Sequence, residues 1–237
     1  MNQNKPVLTP KRSIQRTSFG MPGRRAGAAL MVMSALCGCS SLLPRPEPAA
    51  ATYALEAPPT AARPADTARA APRAASTARA PTLLVSTPLA APGYDNRRMA
   101  YTRSPHLLEY FARNEWIEPP ARMLSPLIVT ALQSDGAFFA VLPAPSVAAS
   151  DMQLDSTLLR LQQNFNTRPS TVTFTLRASL VHTATRRVLA WREFEHSVPT
   201  QADTPQDGVV AANRAVQRVM AELALFCRAE ALAWQAP

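Results

Sequence analysis

Residues 44–81 set the strongest limit on what this chain can fold into. Of these 38 residues, 15 are Ala and 8 are Pro, and the only large apolar side chains are Tyr53 and Leu55. Such a stretch cannot bury enough apolar surface to offset the entropy lost on ordering. Pro also blocks the helix that so much Ala would otherwise favour. The segment reads as a tether that can span on the order of 100 Å when extended, at ~3.1 Å per residue. Residues 52–55 are the exception, a candidate for a short edge strand.

The tether joins two unlike parts. Residues 1–38 carry six basic residues and no acidic one, and residues 26–36 form an uncharged run rich in Ala, Leu and Met. Eleven residues are too few for a transmembrane helix, which needs about 20, but they suit the apolar region of an export signal. Leu36-Cys37-Gly38-Cys39 then resembles the bacterial lipobox. That resemblance implies cleavage after Gly38 and acylation of Cys39 by a diacylglyceryl thioether and an N-acyl chain. One chain anchors marginally, whereas two or more hold a protein on a membrane. Ser40 after the cysteine favours the outer membrane, by analogy with enteric sorting. Arg24-Arg25 lacks the flanks of a twin-arginine signal, so the general secretory route is expected. Met21 would start a more compact signal, and initiation is open between Met1 and Met21. The expected organisation is a signal peptide at 1–38, a lipidated cysteine and tether at 39–81, and one domain at 82–237.

Beyond the tether the patterning changes to regular structure. Residues 82–86, 99–103 and 107–111 read as strands, with a turn at Ser104-Pro105. Pro119-Pro120 opens a helix whose apolar face holds Met123, Leu124, Leu127, Ile128, Ala131 and Leu132, and Gly136 closes it. A short strand is predicted at 138–142. Met152, Leu154 and Leu158 share one phase and Leu159 and Leu161 the other, which predicts a bulge in a long strand. Val172, Phe174, Leu176, Ala178 and Leu180 alternate with polar residues, and 187–198 reads as a further strand, so the three form an antiparallel meander. Thr204-Pro205-Gln206-Asp207 starts a helix predicted to run to Ala233. Strands followed by helices without regular alternation give an α+β class, a mostly antiparallel sheet with a long meander packed against two main helices. About 155 residues suffice for such a core.

The chemistry of catalysis is sparse. His106, His182 and His196 lack metal-ligand spacing, and no metal site or cofactor is expected. Cys227 falls on the apolar face of the last helix and reads as a buried, inert thiol. Glu193 and Glu195 share a strand face beside Arg192 and read as a solvated, ion-paired surface rather than an acid–base pair. With 7 Gly in the chain, no phosphate-cradling loop, nucleophile elbow or HExxH is present. The formal charge of +9 comes mostly from the first 38 residues. The remainder holds 19 basic and 16 acidic residues, or +3, which excludes nucleic-acid binding on charge alone. Every basic residue after Cys39 is Arg, which suits bidentate contact with phosphate or carboxylate, though a GC-rich genome produces the same bias without any function. An enzyme is not expected.

Residues 82–142 carry a distinctive set: Pro92-Gly93-Tyr94-Asp95-Asn96-Arg97-Arg98-Met99, then Leu107-Leu108-Glu109-Tyr110, Asn114-Glu115-Trp116 and Pro119-Pro120-Ala121-Arg122-Met123-Leu124. Together with the lipobox and Tyr53-Ala54-Leu55, these resemble the ABC-type transport auxiliary lipoprotein family. The resemblance covers most of the mature chain and departs from the pattern at the Ala/Pro insertion. It implies partners: an MCE-domain protein that binds lipid, a permease and an ATPase. Such systems move phospholipid or other hydrophobic molecules between two membranes. It also implies a lipid-anchored location on the outer membrane, facing the periplasm. Self-association is open. The alternatives are a stand-alone periplasmic lipid carrier and an envelope scaffold.

The candidate partner-binding residues are Trp116, Ile117, Tyr94, Arg97 and Arg98. Trp is enriched at interaction hot spots, and on that reading Trp116→Ala leaves folding intact and weakens association. The competing reading places Trp116 under the first helix as a packing residue. Tyr94, Arg97 and Arg98 are divided in the same way between loop packing and contact.

Overall fold

A computed structural model describes residues 49–57 and 80–234. The expected signal peptide, Cys39 and most of the tether lie outside the described residues. The described elements are β1 (Ala51–Tyr53), β2 (Thr82–Val85), β3 (Leu89–Ala90), β4 (Arg98–Thr102), β5 (Glu109–Trp116), α1 (Pro120–Asp135), β6 (Ala140–Pro143), β7 (Met152–Asn164), β8 (Thr171–His182), β9 (Val188–Pro199) and α2 (Pro205–Ala233). The fold is α+β, and the described residues form one open nine-stranded sheet and two helices. The domain start expected at residue 82 leaves out β1, which the sheet includes as an edge strand beside β5.

The long ladders, β7–β8 and β8–β9, are antiparallel, as the alternating patterns require. β7 buries Met152, Leu154, Ser156 and Leu158, then shifts register between Leu158 and Arg160 and buries Leu161 and Gln163. The predicted bulge is therefore present, and it turns Arg160 and Gln162 to the face opposite the core. β8 contributes Val172, Phe174, Leu176, Ala178 and Leu180, and β9 adds Phe194 and Val198. Each large apolar side chain fully buried in this way contributes roughly 1.5–3 kcal/mol of transfer free energy.

The other edge of β7 is covered by three short strands in series. β2 pairs with Met152–Leu154, β3 with Thr157 and Leu158, and β4 with Gln162–Asn164, all parallel. Outside these, β2 pairs with β6 in parallel and β4 pairs with β5 antiparallel. The parallel pairings are absent from the sequence reading. They join residues roughly 60–70 positions apart in the chain and leave no local pattern.

Both helices cover the buried face. Thr204 Oγ1 accepts from the Asp207 N–H at 3.1 Å, with Pro205 in the first turn, as the capping reading expects. Gly136 ends α1 in the left-handed region, φ 74°, its N–H donating to the Leu132 carbonyl. Beneath the start of α2 lies a buried polar cluster. Gln163 Nε2 donates to Ser170 Oγ at 2.9 Å, and the Ser170 and Thr200 hydroxyls are 2.8 Å apart. Asp203 accepts from the Ser170 N–H at 2.8 Å. Gly208 makes room for this cluster: a Cβ there would lie 2.3 Å from Gln163 Oε1. No helix of the described residues is long and apolar enough to cross a membrane.

Candidate functional site

The sheet edge formed by β1, β5 and the start of β4 brings several of the candidate residues together. The Trp116 N–H donates to the Arg97 carbonyl at 2.7 Å, and Arg97 Nε donates back to the Trp116 carbonyl at 3.0 Å. Arg97 also pairs with Glu115 at 2.9 Å. The Ile117 N–H donates to the Tyr53 carbonyl, so β1 is stitched to the same corner. Ile117 itself is 55% exposed. Trp116 is not at this surface. It is 4% exposed and belongs to the core, beside a small void it shares with Met99, Phe111, Gly208 and Ala212. Gly208 and Ala212 lie on α2, so Trp116 packs toward the second helix. The indole is buried, as the packing reading expects, but not under the first helix: it lies on the inward side of β5, removed from water by the sheet and α2 together.

Arg98 and Tyr94 belong to neighbouring features. The Arg98 guanidinium sits 3.9 Å from the centre of the Tyr110 ring, a cation–π contact. It lines a surface cleft of about 330 Å³ with Tyr110, Asn114 and Glu115. The Tyr110 O–H donates to the Gly93 carbonyl at 3.1 Å. Gly93 has φ 91°, and a Cβ there would lie 3.0 Å from Leu108, so glycine is required both for the turn and for its close approach. Tyr94 is half-buried and donates to Gln162 Oε1 at 2.5 Å; burial holds its phenol above its usual pKa. Thus Arg97 and Ile117 share one corner, Arg98 stands next to it over Tyr110, and Tyr94 reaches across to Gln162 of β7. The expected lipid-attachment residue, Cys39, and the cleavage position after Gly38 lie outside the described residues.

A further feature was missed in sequence. Between α1 and α2 runs an apolar groove of about 210 Å³, lined in part by Leu127, Ala131, Val216, Met220, Ala221 and Ala224. Several of these read from sequence as helix-core positions. The signal that could have marked a groove is the small size of Ala131, Ala221 and Ala224, which leaves the two helices incompletely filled where they face each other.

The groups suited to chemistry are held in structural roles. Glu193 pairs with Arg177 at 3.0 Å and Glu195 with Arg160 at 3.4 Å, so the two carboxylates form an ion-paired sheet face. His196 Nε2 lies 2.6 Å from Glu222 of α2. Cys227 is fully buried, and burial, with Asp135 and Glu230 nearby, pushes its thiol up to about 12, a state in which it is inert. No group of His, Cys, Asp or Glu that could hold a metal ion occurs among the described residues.

The family model of the ABC-type transport auxiliary lipoprotein component matches residues 53–224. The chain belongs to this family. The match begins in β1 and ends in α2, so it takes in the sheet, α1, the helix groove and all five candidate contact residues. Two solved structures share the fold of this auxiliary lipoprotein. One is a Xanthomonas campestris protein of the family DUF330, at 24% identity and a TM-score of 0.60, covering 67% of this chain and 91% of its own. The other is an uncharacterised protein at 15% identity and a TM-score of 0.58, covering 76% of this chain and 99% of its own. No curated protein matches the chain.

Proposed function

We propose that this auxiliary lipoprotein is a non-enzymatic subunit of an ABC/MCE-type transport system that moves phospholipid or another hydrophobic substrate between the inner and outer membranes. Acylation of Cys39 after cleavage behind Gly38 would hold it on the outer membrane, facing the periplasm, and the tether would let the domain reach a periplasmic conduit. The partners on this reading are an MCE-domain protein, its permease and its ATPase. The observation that carries the reading is the family match over residues 53–224. Ile117, Arg97 and Arg98, on the β1–β5–β4 corner, are the proposed contact residues. The buried Trp116 would serve by fixing the strand that presents them.

A second reading, a stand-alone lipid carrier, draws on the apolar groove between the helices. That groove, about 210 Å³, is below the ~300–1,000 Å³ usual for small-molecule sites, which favours the subunit reading. The test is co-purification of the tagged, full-length protein from cross-linked membranes, followed by mass spectrometry. The proposal expects an MCE protein with its permease and ATPase. A preparation free of all three, with lipid retained in native mass spectra, would establish the carrier instead.

A further inference from the structure

A second cleft, of about 350 Å³, opens on the side of the sheet opposite the core. Its floor is the bulged part of β7, where Arg160 and Gln162 point away from the helices. Its walls are the loop holding Tyr94 and the turn holding His106, Leu107 and Leu108. We infer that this cleft binds a phosphate group, with Arg160, Gln162 and His106 as the recognising side chains and Leu107 and Leu108 as an apolar flank for an ester substituent.

Three separate departures from regular backbone meet here. The β7 bulge re-aims Arg160, and bulges are frequent where a strand must present a side chain to a site. His106 holds φ 66°, a left-handed conformation that costs a non-glycine residue free energy and clusters at binding sites. Gly93, at φ 91°, lets the Tyr94 loop press against Leu108 and close the wall. The polar groups are also poised for a ligand. Tyr94 occupies the Gln162 carbonyl oxygen, leaving the amide N–H₂ as donor. Arg160 is about half exposed; it makes a long contact to Glu195 at 3.4 Å and interacts with the Tyr94 hydroxyl, which leaves part of its five-donor fork for a ligand. Arginine's planar fork matches two oxygens of a phosphate. The exposed Leu107 (52%) beside these donors fits a phosphate bearing a hydrocarbon group better than a bare ion.

The shared chemistry is phosphate, and its source is either a lipid headgroup or a free anion. The lipid form rests on the transport reading. The pull-down above and the following titration fail independently. The full chain, in non-ionic detergent, is titrated calorimetrically with hexyl phosphate, inorganic phosphate and hexanol. Saturable binding of hexyl phosphate is expected, weakened about tenfold in Arg160→Gln, the effect of losing a charge-assisted hydrogen bond. Glu195 also accepts from the Thr175 hydroxyl at 2.7 Å; Glu195→Gln, which keeps an acceptor for Thr175 but frees the guanidinium, is expected to tighten binding severalfold, an outcome that a purely structural role for the pair would not give. Hexyl phosphate binding tighter than inorganic phosphate assigns the site to a lipid-like ester; equal binding assigns it to free phosphate. Hexanol binding as well as hexyl phosphate, no saturable binding of either phosphate, or Arg160→Gln and Glu195→Gln both within twofold of wild type would overturn the inference.

Discussion

The two sides of the sheet are built differently. The meander β7–β8–β9 with α2 is made of long antiparallel ladders between neighbours in sequence, and its buried positions are filled by large side chains such as Leu154, Phe174 and Leu176. The region from β1 to β6 with α1 is made of strands of two to eight residues; apart from the antiparallel β4–β5 pair, they join in parallel to partners far away in the chain. The clefts around Arg98 and Arg160 and the candidate contact residues lie at or beside the short-strand region. Long ladders leave few interruptions, whereas short strands need loops and turns between them, and those loops make the walls of sites. The meander thus holds most of the large buried side chains, and the clefts open where the short strands and their loops meet it.

Truncating one buried aromatic in each region is the strongest challenge to this division. Phe174→Ala and Trp116→Ala should each cost ~3–5 kcal/mol in urea denaturation, the range for large-to-small changes at buried aromatic positions. Hydrogen exchange should separate them. Phe174→Ala should raise exchange across β7, β8, β9 and α2, and Trp116→Ala mainly in β1, β4 and β5. A Trp116→Ala protein with wild-type stability would put the indole back at a surface.

A smaller effect probes where the meander meets α2. Gly208→Ala should cost ~1–3 kcal/mol, the range for overpacking, because the new Cβ would displace the buried amide of Gln163. Thermal unfolding measures this. An unchanged midpoint would mean that the cluster of Gln163, Ser170 and Thr200 re-forms without strain.

The smallest effect depends on pH. The Ser170 N–H and hydroxyl hold the Asp203 carboxyl below its usual range, helped by Arg168. A depressed folded-state pKa gives stability that is present above the unfolded value, ~4, and lost as pH falls through the folded one. Wild type should therefore lose more stability than Asp203→Asn between about pH 5 and about pH 2. Parallel acid curves for the two proteins would remove Asp203 from the account.

The meander was legible because strict alternation in β8 and a phase change in β7 translate directly into faces. α2 was legible from its Thr-Pro-Gln-Asp start and α1 from its Pro-Pro start and Gly136 stop. The family resemblance was carried most densely by the residues from Tyr94 to Leu142. Burial of Trp116 was not legible: residue type alone favours an interface as much as a core, and what buries the indole is α2, almost a hundred residues further along. Arg160 escaped notice for a related reason. The bulge could be read from leucine spacing, but the walls it faces come from loops that parallel pairing brings alongside β7.

The direct test compares Ile117 with Val188, which are matched in exposure at 55% and 53% but stand in the short-strand region and on the meander edge. A photo-activatable residue would replace each in turn in the full-length protein, and cross-linked partners would be identified after illumination of intact cells. The account predicts that position 117 captures a component of an ABC transport system and position 188 does not. Capture from position 188 alone, or equally from both, would contradict it.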